Sequence, residues 1–302
     1  MIRRLVSLAV ISIITMTVVF AGAAESFTQA DNLYDDEQYI EGFSLLENIL
    51  PTLSSKQDKA ACYWRMARFQ LFIADDKDRE GAAKSDLLEM YDIGSDFASE
   101  AIKLNPSADA YYWHSSNVGR WGEKKGILDS LAKAKPMYKD LSKVIEFDAN
   151  YADAWYVLGR LYLLLPGWPL SFGNKTYAVS FTRRCLAVYD GDDLKITYYQ
   201  SLAEALRKRD YSAKELRGKF SKMASSFKKG KDVIDKMKYY EGTLGSSFIP
   251  FYSKKALGQM SDREEAVQVL TWVINQYNAL PHPSKGEKND IAEVKELLQS
   301  WK

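Results

Sequence analysis

The sequence predicts an all-α protein built from stacked helix pairs. Three observations carry this. Ala152-Asp153-Ala154-Trp155-Tyr156 echoes Ala108-Asp109-Ala110-Tyr111-Tyr112 at a distance of 44 residues. A pattern of aromatic, apolar and small residues recurs at Tyr63-x-x-Met66-Ala67, Tyr111-x-x-His114-Ser115, Trp155-x-x-Leu158-Gly159 and Tyr199-x-x-Leu202-Ala203. No alternation of apolar and polar residues is long enough for a sheet.

Trp155, Leu158, Gly159 and Tyr162 reproduce the W-x-x-L-G-x-x-Y spacing of a tetratricopeptide repeat, a two-helix unit of about 34 residues. The small residue lets helix A of each unit pack closely on its own helix B. Such units cannot bury their apolar faces alone; they stack into a superhelix that presents a groove and a row of turns. This favours binding over catalysis. An incomplete earlier copy is visible at Ala30, Leu33, Tyr39, Gly42, Leu46 and Ile49.

The small residue recurs in steps of 48, 44 and 44, so each unit carries an insertion. Asp75–Glu80, Gly119–Lys135 and Pro166–Asn174 are the expected insertions, each between helix A and helix B. They should share one rim, and per-repeat insertions on one face often mark the binding face. Pro136 suits the first turn of the B helix that runs to Phe147. Two prolines and two glycines within Pro166–Asn174 forbid a helix there. Beyond Ser212 the register fades. Helices are expected over 213–227 and 232–241, a loop over 242–251, and a strongly amphipathic helix over 263–280. A last helix over 290–301 serves as a polar-faced cap. The organisation predicted is a targeting segment over 1–24 and a single array with capping helices over 25–302.

Arg3 and Arg4, the apolar run Leu5–Phe20 and the small residues Ala21-Gly22-Ala23 read as an export signal. The chain is therefore expected to be periplasmic or secreted. The alternative is an uncleaved membrane anchor, since Leu5–Ala24 is long enough to span a bilayer. No Cys follows for lipidation. Removing Arg3 and Arg4 takes the net charge from +1 to −1, which argues against a nucleic-acid partner. Charge is uneven, however: residues 25–100 are acidic and 207–238 basic. The basic stretch reads as a solvated helix face, an anionic-lipid contact, or one half of a head-to-tail homo-oligomer.

Cys62 and Cys185 read as small buried apolar residues, although a bridge between them is open. His114 and His282 are isolated and cannot make a zinc site of usual spacing. Phosphate-binding loops, dinucleotide fingerprints and nucleophile elbows are missing. The reading is a protein that is not an enzyme and uses no cofactor or metal.

The candidate binding residues are mostly aromatic. Tyr111, Tyr112 and Trp113 are consecutive on a helix and span about 200°, so at least one should line a groove. Trp121 and Trp168 sit in neighbouring insertions, with Phe172 beside the second. Each Trp is either a contact anchor or a plug sealing the end of an A helix. Arg120 and Arg160 are placed to bind a carboxylate or phosphate, or to bridge to acidic side chains.

The run from about 95 to 213 resembles the tetratricopeptide T-component of TRAP transporters, a group of bacterial periplasmic proteins. The carrying residues are Ala101-Ile102-x-Leu104-Asn105-Pro106, Gly119-Arg120, Leu158-Gly159-Arg160-Leu161-Tyr162 and Leu165-Pro166-Gly167, with Gly173-Asn174 ahead of helix B. The run is also similar to the repeat domain of the eukaryotic regulators of microtubule dynamics. The resemblance implies a helical array with a central cleft or pore, and no catalytic residues. It implies a periplasmic substrate-binding protein as partner, one that hands an organic or hydrophobic ligand to a membrane transporter. The alternative function is a carrier of lipid or another hydrophobic small molecule.

Overall fold

The computed structural model describes residues 22–126 and 128–301. The export-signal reading falls on residues 1–21 and lies outside them. Among the described residues all regular structure is helical, in 14 α-helices and two short 3-10 turns. None of these helices is long and apolar enough to cross a membrane. Two compact units are present, the first ending at Pro106 and the second beginning at Ser107.

The first unit holds two helix pairs: α1 (Ala23–Asp35) with α2 (Tyr39–Ile49), and α3 (Lys56–Arg79) with α4 (Lys84–Leu104). Phe27, Ala30, Leu46, Leu53, Cys62, Met66 and Phe69 form its core. Gly42 is required there: a Cβ would meet the Phe69 ring at 2.2 Å. Asp75–Arg79 of the expected insertion are instead the last turn of α3, a 24-residue helix. The extra length of this repeat is taken up by longer helices, with only residues 80–83 turning between them. Asp31 on α1 accepts from Arg65 (2.8 Å) and Arg68 (2.5 Å) on α3. Burial alone would raise the Asp31 carboxyl, but these hydrogen bonds and charges hold it below its ordinary range.

The second unit continues with α5 (Ala108–Lys125), α6 (Leu131–Phe147), α7 (Ala152–Leu164), α8 (Lys175–Val188) and α9 (Ile196–Arg209). Here too an expected insertion is mostly helix: Gly119–Lys125 extends α5, and a turn over 128–130 precedes α6. Pro136 lies inside α6 rather than at its first turn, because the helix begins five residues earlier. The helix pairs close as the repeat pattern requires. Ser115 and Ala203 are fully buried, and a Cβ on Gly159 would meet Thr182 Oγ1 of α8 at 2.6 Å. Trp155 is fully buried and stacks on Phe181.

The Ala-Asp-Ala echo has its own physical role. Asp109 accepts from the Tyr151 hydroxyl (3.0 Å), and Asp153, one repeat later, accepts from the Tyr198 hydroxyl (2.5 Å). Each aspartate of an A helix thus ties down the start of the next A helix.

The partner of α9 is not the next helix in sequence. α9 packs on α13 (Asp262–Asn278), with α14 (Lys285–Ser300) against both. Residues 210–261, containing α10 (Ala213–Lys229), α11 (Val233–Met237) and α12 (Glu241–Leu244), are one long excursion between helix A and helix B. Its neck is closed: Asp262 N donates to Tyr211 O (2.9 Å), Tyr211 N donates to Asp262 Oδ2 (2.8 Å), and Asp210 pairs with Arg263.

A buried ion cluster fastens the excursion to the repeats. Arg183 of α8 donates to Glu241 (3.0 Å), Glu265 (2.7 Å) and the Tyr252 hydroxyl (3.0 Å). Arg209 of α9 donates to both Asp262 oxygens (2.8 Å each) and to Glu241. All five charged side chains are nearly inaccessible to water. Three carboxylates face two guanidinium groups, and the imbalance divides unevenly. Burial would raise Glu241, but Arg209 and Arg183 hold it below its ordinary range. Burial raises Asp262 despite the hydrogen bonds from Arg209.

Two outcomes follow. Glu241→Gln should cost about 3 kcal/mol or more in urea unfolding, the scale for breaking a buried pair, and Asp262→Asn less. Equal costs would contradict the division of charge. For Asp31, whose folded pKa is depressed, the stabilisation is complete above the unfolded value of about 3.9 and lost as pH falls through the folded value. The stability gap between wild type and Asp31→Asn should therefore be constant near neutrality and close only in acid.

Candidate binding rim

The loop over 165–174 is the A–B connection of the central repeat in the second unit, and it is held at both ends. Gly173 N donates to Pro166 O (3.0 Å), and Asn174 N donates to Tyr162 O (2.9 Å). Asn174 then caps α8, its side chain accepting from Thr176 N (3.0 Å) and Tyr177 N (3.2 Å). Gly173 is demanded by close approach: a Cβ would lie 1.9 Å from Leu165 O. Phe172 turns inward against Tyr138 and Tyr162, beside the cluster of Val118, Ala134, Met137 and Leu161. The Trp168–Pro169 peptide is cis. The result is a braced loop whose tip points outward, with Trp168 89% and Leu170 69% exposed.

The other expected site residues fall in three groups. Tyr112 and Trp113 are buried and pack on each other, with Tyr112 also against Tyr151. They are core, not groove. Tyr111 is half-buried and stacks on the exposed Phe147. Trp121 is half-buried beneath ammonium groups, Lys133 Nζ lying 3.8 Å and Lys125 Nζ 5.9 Å from its ring centroid. Of the two insertion tryptophans, then, one is tucked onto the array and one is presented to solvent.

Both arginines engage acids. Arg120 donates to Glu123 (3.2 Å). Arg160 donates to Glu204 (2.7 Å) and lies 3.6 Å from Glu123. These contacts link α5, α7 and α9 along one face of the A helices. His114 Nδ1 lies 2.8 Å from Asp140 Oδ2, joining α5 to α6. Cys62 and Cys185 are both buried free thiols; burial pushes the Cys62 thiol up to about 12 and raises Cys185 well above its ordinary value. Among the described residues no group of three His, Cys, Asp or Glu side chains is arranged to hold a metal ion.

The 165–174 loop and the long excursion both reach neighbouring helices near the start of α8. Phe172 touches α6, and at the start of α8 the Thr176 and Tyr177 hydroxyls hydrogen-bond those of Tyr211 (3.1 Å) and Tyr239 (2.8 Å) in the long excursion. In the sequence the excursion does not read as an insertion. Its one available signal is the strong apolar stripe of α13, which reads as a displaced B helix.

Trp168→Ala should leave the unfolding free energy within about 0.5 kcal/mol of wild type, as for an exposed surface site. Phe172→Ala should cost more than about 1 kcal/mol through lost packing. A large loss for Trp168→Ala would make that residue a structural plug.

No curated protein matches the chain. The family described as Regulator of microtubule dynamics protein 1-3 matches residues 26–164. That span runs from the first turn of α1 to the last residue of α7 and stops immediately before the Trp168 loop, so it is the helix pairs ahead of the candidate rim that are similar to this family.

Proposed function

We propose that this protein is a non-catalytic repeat adaptor that captures a partner protein through the 165–174 loop. Trp168 is the anchor. The observation that supports this is its exposure on a braced loop. A tryptophan buries about 150–250 Å² when covered, which at about 25 cal/mol per Å² is about 4–6 kcal/mol before association costs. A rigid loop holding that surface in water is already ordered for contact and loses little freedom on binding. The family match over residues 26–164 supports a repeat scaffold behind the loop.

The partner proposed is an exported substrate-binding protein of a TRAP-type transport system, met outside the cytoplasm. This part rests on the apolar run Leu5–Phe20 and on the resemblance carried by Leu158–Tyr162 and Leu165-Pro166-Gly167.

A photo-crosslinking residue placed at Leu170 in the full chain tests the reading in the cell envelope. The expected result is an adduct with a substrate-binding protein, reduced about tenfold or more by Trp168→Ala with an unchanged thermal transition. An adduct indifferent to Trp168 would overturn the anchor. Lipid retained on the native protein in mass spectrometry, with no protein adduct, would transfer the function to the hydrophobic-carrier alternative.

A further inference from the structure

The long excursion carries a second apolar surface, distinct from the Trp168 loop. Phe248, Ile249 and Phe251 fall within four residues and are all exposed, Ile249 by 58% and Phe251 by 63%. The segment is well held. Leu257 N donates to Phe248 O (2.9 Å), Gly258 N to Ser246 O (2.8 Å) and Ser253 N to Pro250 O (2.9 Å). Behind the tip, Phe251 packs edge-on against Trp272 and Tyr199, at 5.0 and 6.2 Å between ring centroids. Phe248, Ile249 and Phe251 thus form an exposed apolar patch on a held segment.

Cations border the patch. Lys254 and Lys255 follow it directly and are exposed. The acid facing them is Glu264, 3.4 Å from Lys255 in an exposed pair. On the other side Arg217 of α10 donates to Gly258 O, joining that helix to the loop. α10 turns Leu216, Phe220 and Met223 inward and exposes Lys214, Lys222, Lys228 and Lys229, which lie within an arc of about 120°. Its one acid, Glu215, is engaged in the capping box with Ser212.

We infer that residues 246–255 form a docking surface for an anionic lipid bilayer, with the basic face of α10 adding to the positive charge of this half of the unit. The apolar tip enters the headgroup boundary and the lysines face lipid phosphates and carboxylates. Exposed aromatic and aliphatic groups next to exposed lysines suit that boundary, where apolar burial and attraction to anionic lipid act together. A second copy docking symmetrically through the same patch would set these lysines against their own equivalents, which is unfavourable.

The test labels the full chain with an environment-sensitive fluorophore on Ile249→Cys. The two native cysteines are buried, so a maleimide probe selects position 249. A probe on Lys288→Cys is the control. This local readout is independent of any tethering by the amino-terminal apolar run. On vesicles of phosphatidylcholine mixed with phosphatidylserine, the 249 probe should shift to the blue and brighten, while the 288 probe should not. Phe251→Ser should weaken the vesicle affinity read at 249 about tenfold, and Lys254→Glu with Lys255→Glu by about tenfold or more, each with an unchanged circular dichroism spectrum. Raised salt should weaken it further. An unshifted 249 probe on these vesicles would overturn the inference. An equal response on phosphatidylcholine alone would overturn the assignment to anionic lipid. A shift in solution that depends on protein concentration, without vesicles, would reassign the patch to self-association.

Discussion

Two guanidinium groups facing three carboxylates inside the second unit set the terms for everything its carboxy-terminal half does. Arg183 and Arg209 belong to the repeat helices α8 and α9. Glu241 belongs to the excursion, and Asp262 and Glu265 to the first turns of α13. No member has access to bulk water, so none can leave the others without stranding a charge in a medium of low polarity. A hydrophobic seam of the same area would tolerate sliding by a residue or a fraction of a turn. Forked hydrogen bonds from Arg209 to Asp262 and Glu241 do not. The cluster thus fixes where the excursion leaves and returns, and both exposed apolar surfaces are presented from a frame it helps to hold.

The repeat supplies the rest of that frame through small residues and reciprocal polar contacts. Gly159 lets α7 and α8 approach closely, and the Asp109–Tyr151 and Asp153–Tyr198 hydrogen bonds carry the spacing from one A helix to the next. What varies between repeats is the A–B connection. In the second unit it is a short turn, then a braced loop, then a segment of about fifty residues with its own helices. The surfaces proposed for partner protein and for lipid both lie on these connections, as expected where a rigid scaffold carries variable loops.

The helical repeat was legible because packing imposes it on single positions. The small residues at 67, 115, 159 and 203 could be read directly, and so could the Pro166–Asn174 loop, where proline and glycine exclude a helix. The lengths of α3 and α5 were less legible. Charged residues such as Asp75–Arg79 read equally as an insertion or as the solvated end of a long helix. Angular spread says only that at least one of Tyr111, Tyr112 and Trp113 reaches a groove, and it does not say which. It cannot tell which sides of an A helix are covered by its own B helix and which by the next repeat; Tyr112 and Trp113 are covered, and Tyr111 is the one left half-buried. The pairing of α9 with α13 was hidden because the two helices are separated by more than fifty residues. The ion cluster was hidden for the same reason: nothing local distinguishes Glu241 or Arg183 from a surface charge until the chain closes around it.

The central claim is that one buried cluster couples α8, α9, the excursion and α13 into a single cooperative element. Native-state hydrogen exchange on Arg209→Ala tests it most directly. The account expects amides of 239–244, α13 and the facing turns of α8 and α9 to lose protection together and by the same free energy, while α5 and α6 keep theirs. Loss confined to the residues flanking position 209, with α13 and Glu241 still protected as in wild type, would contradict it.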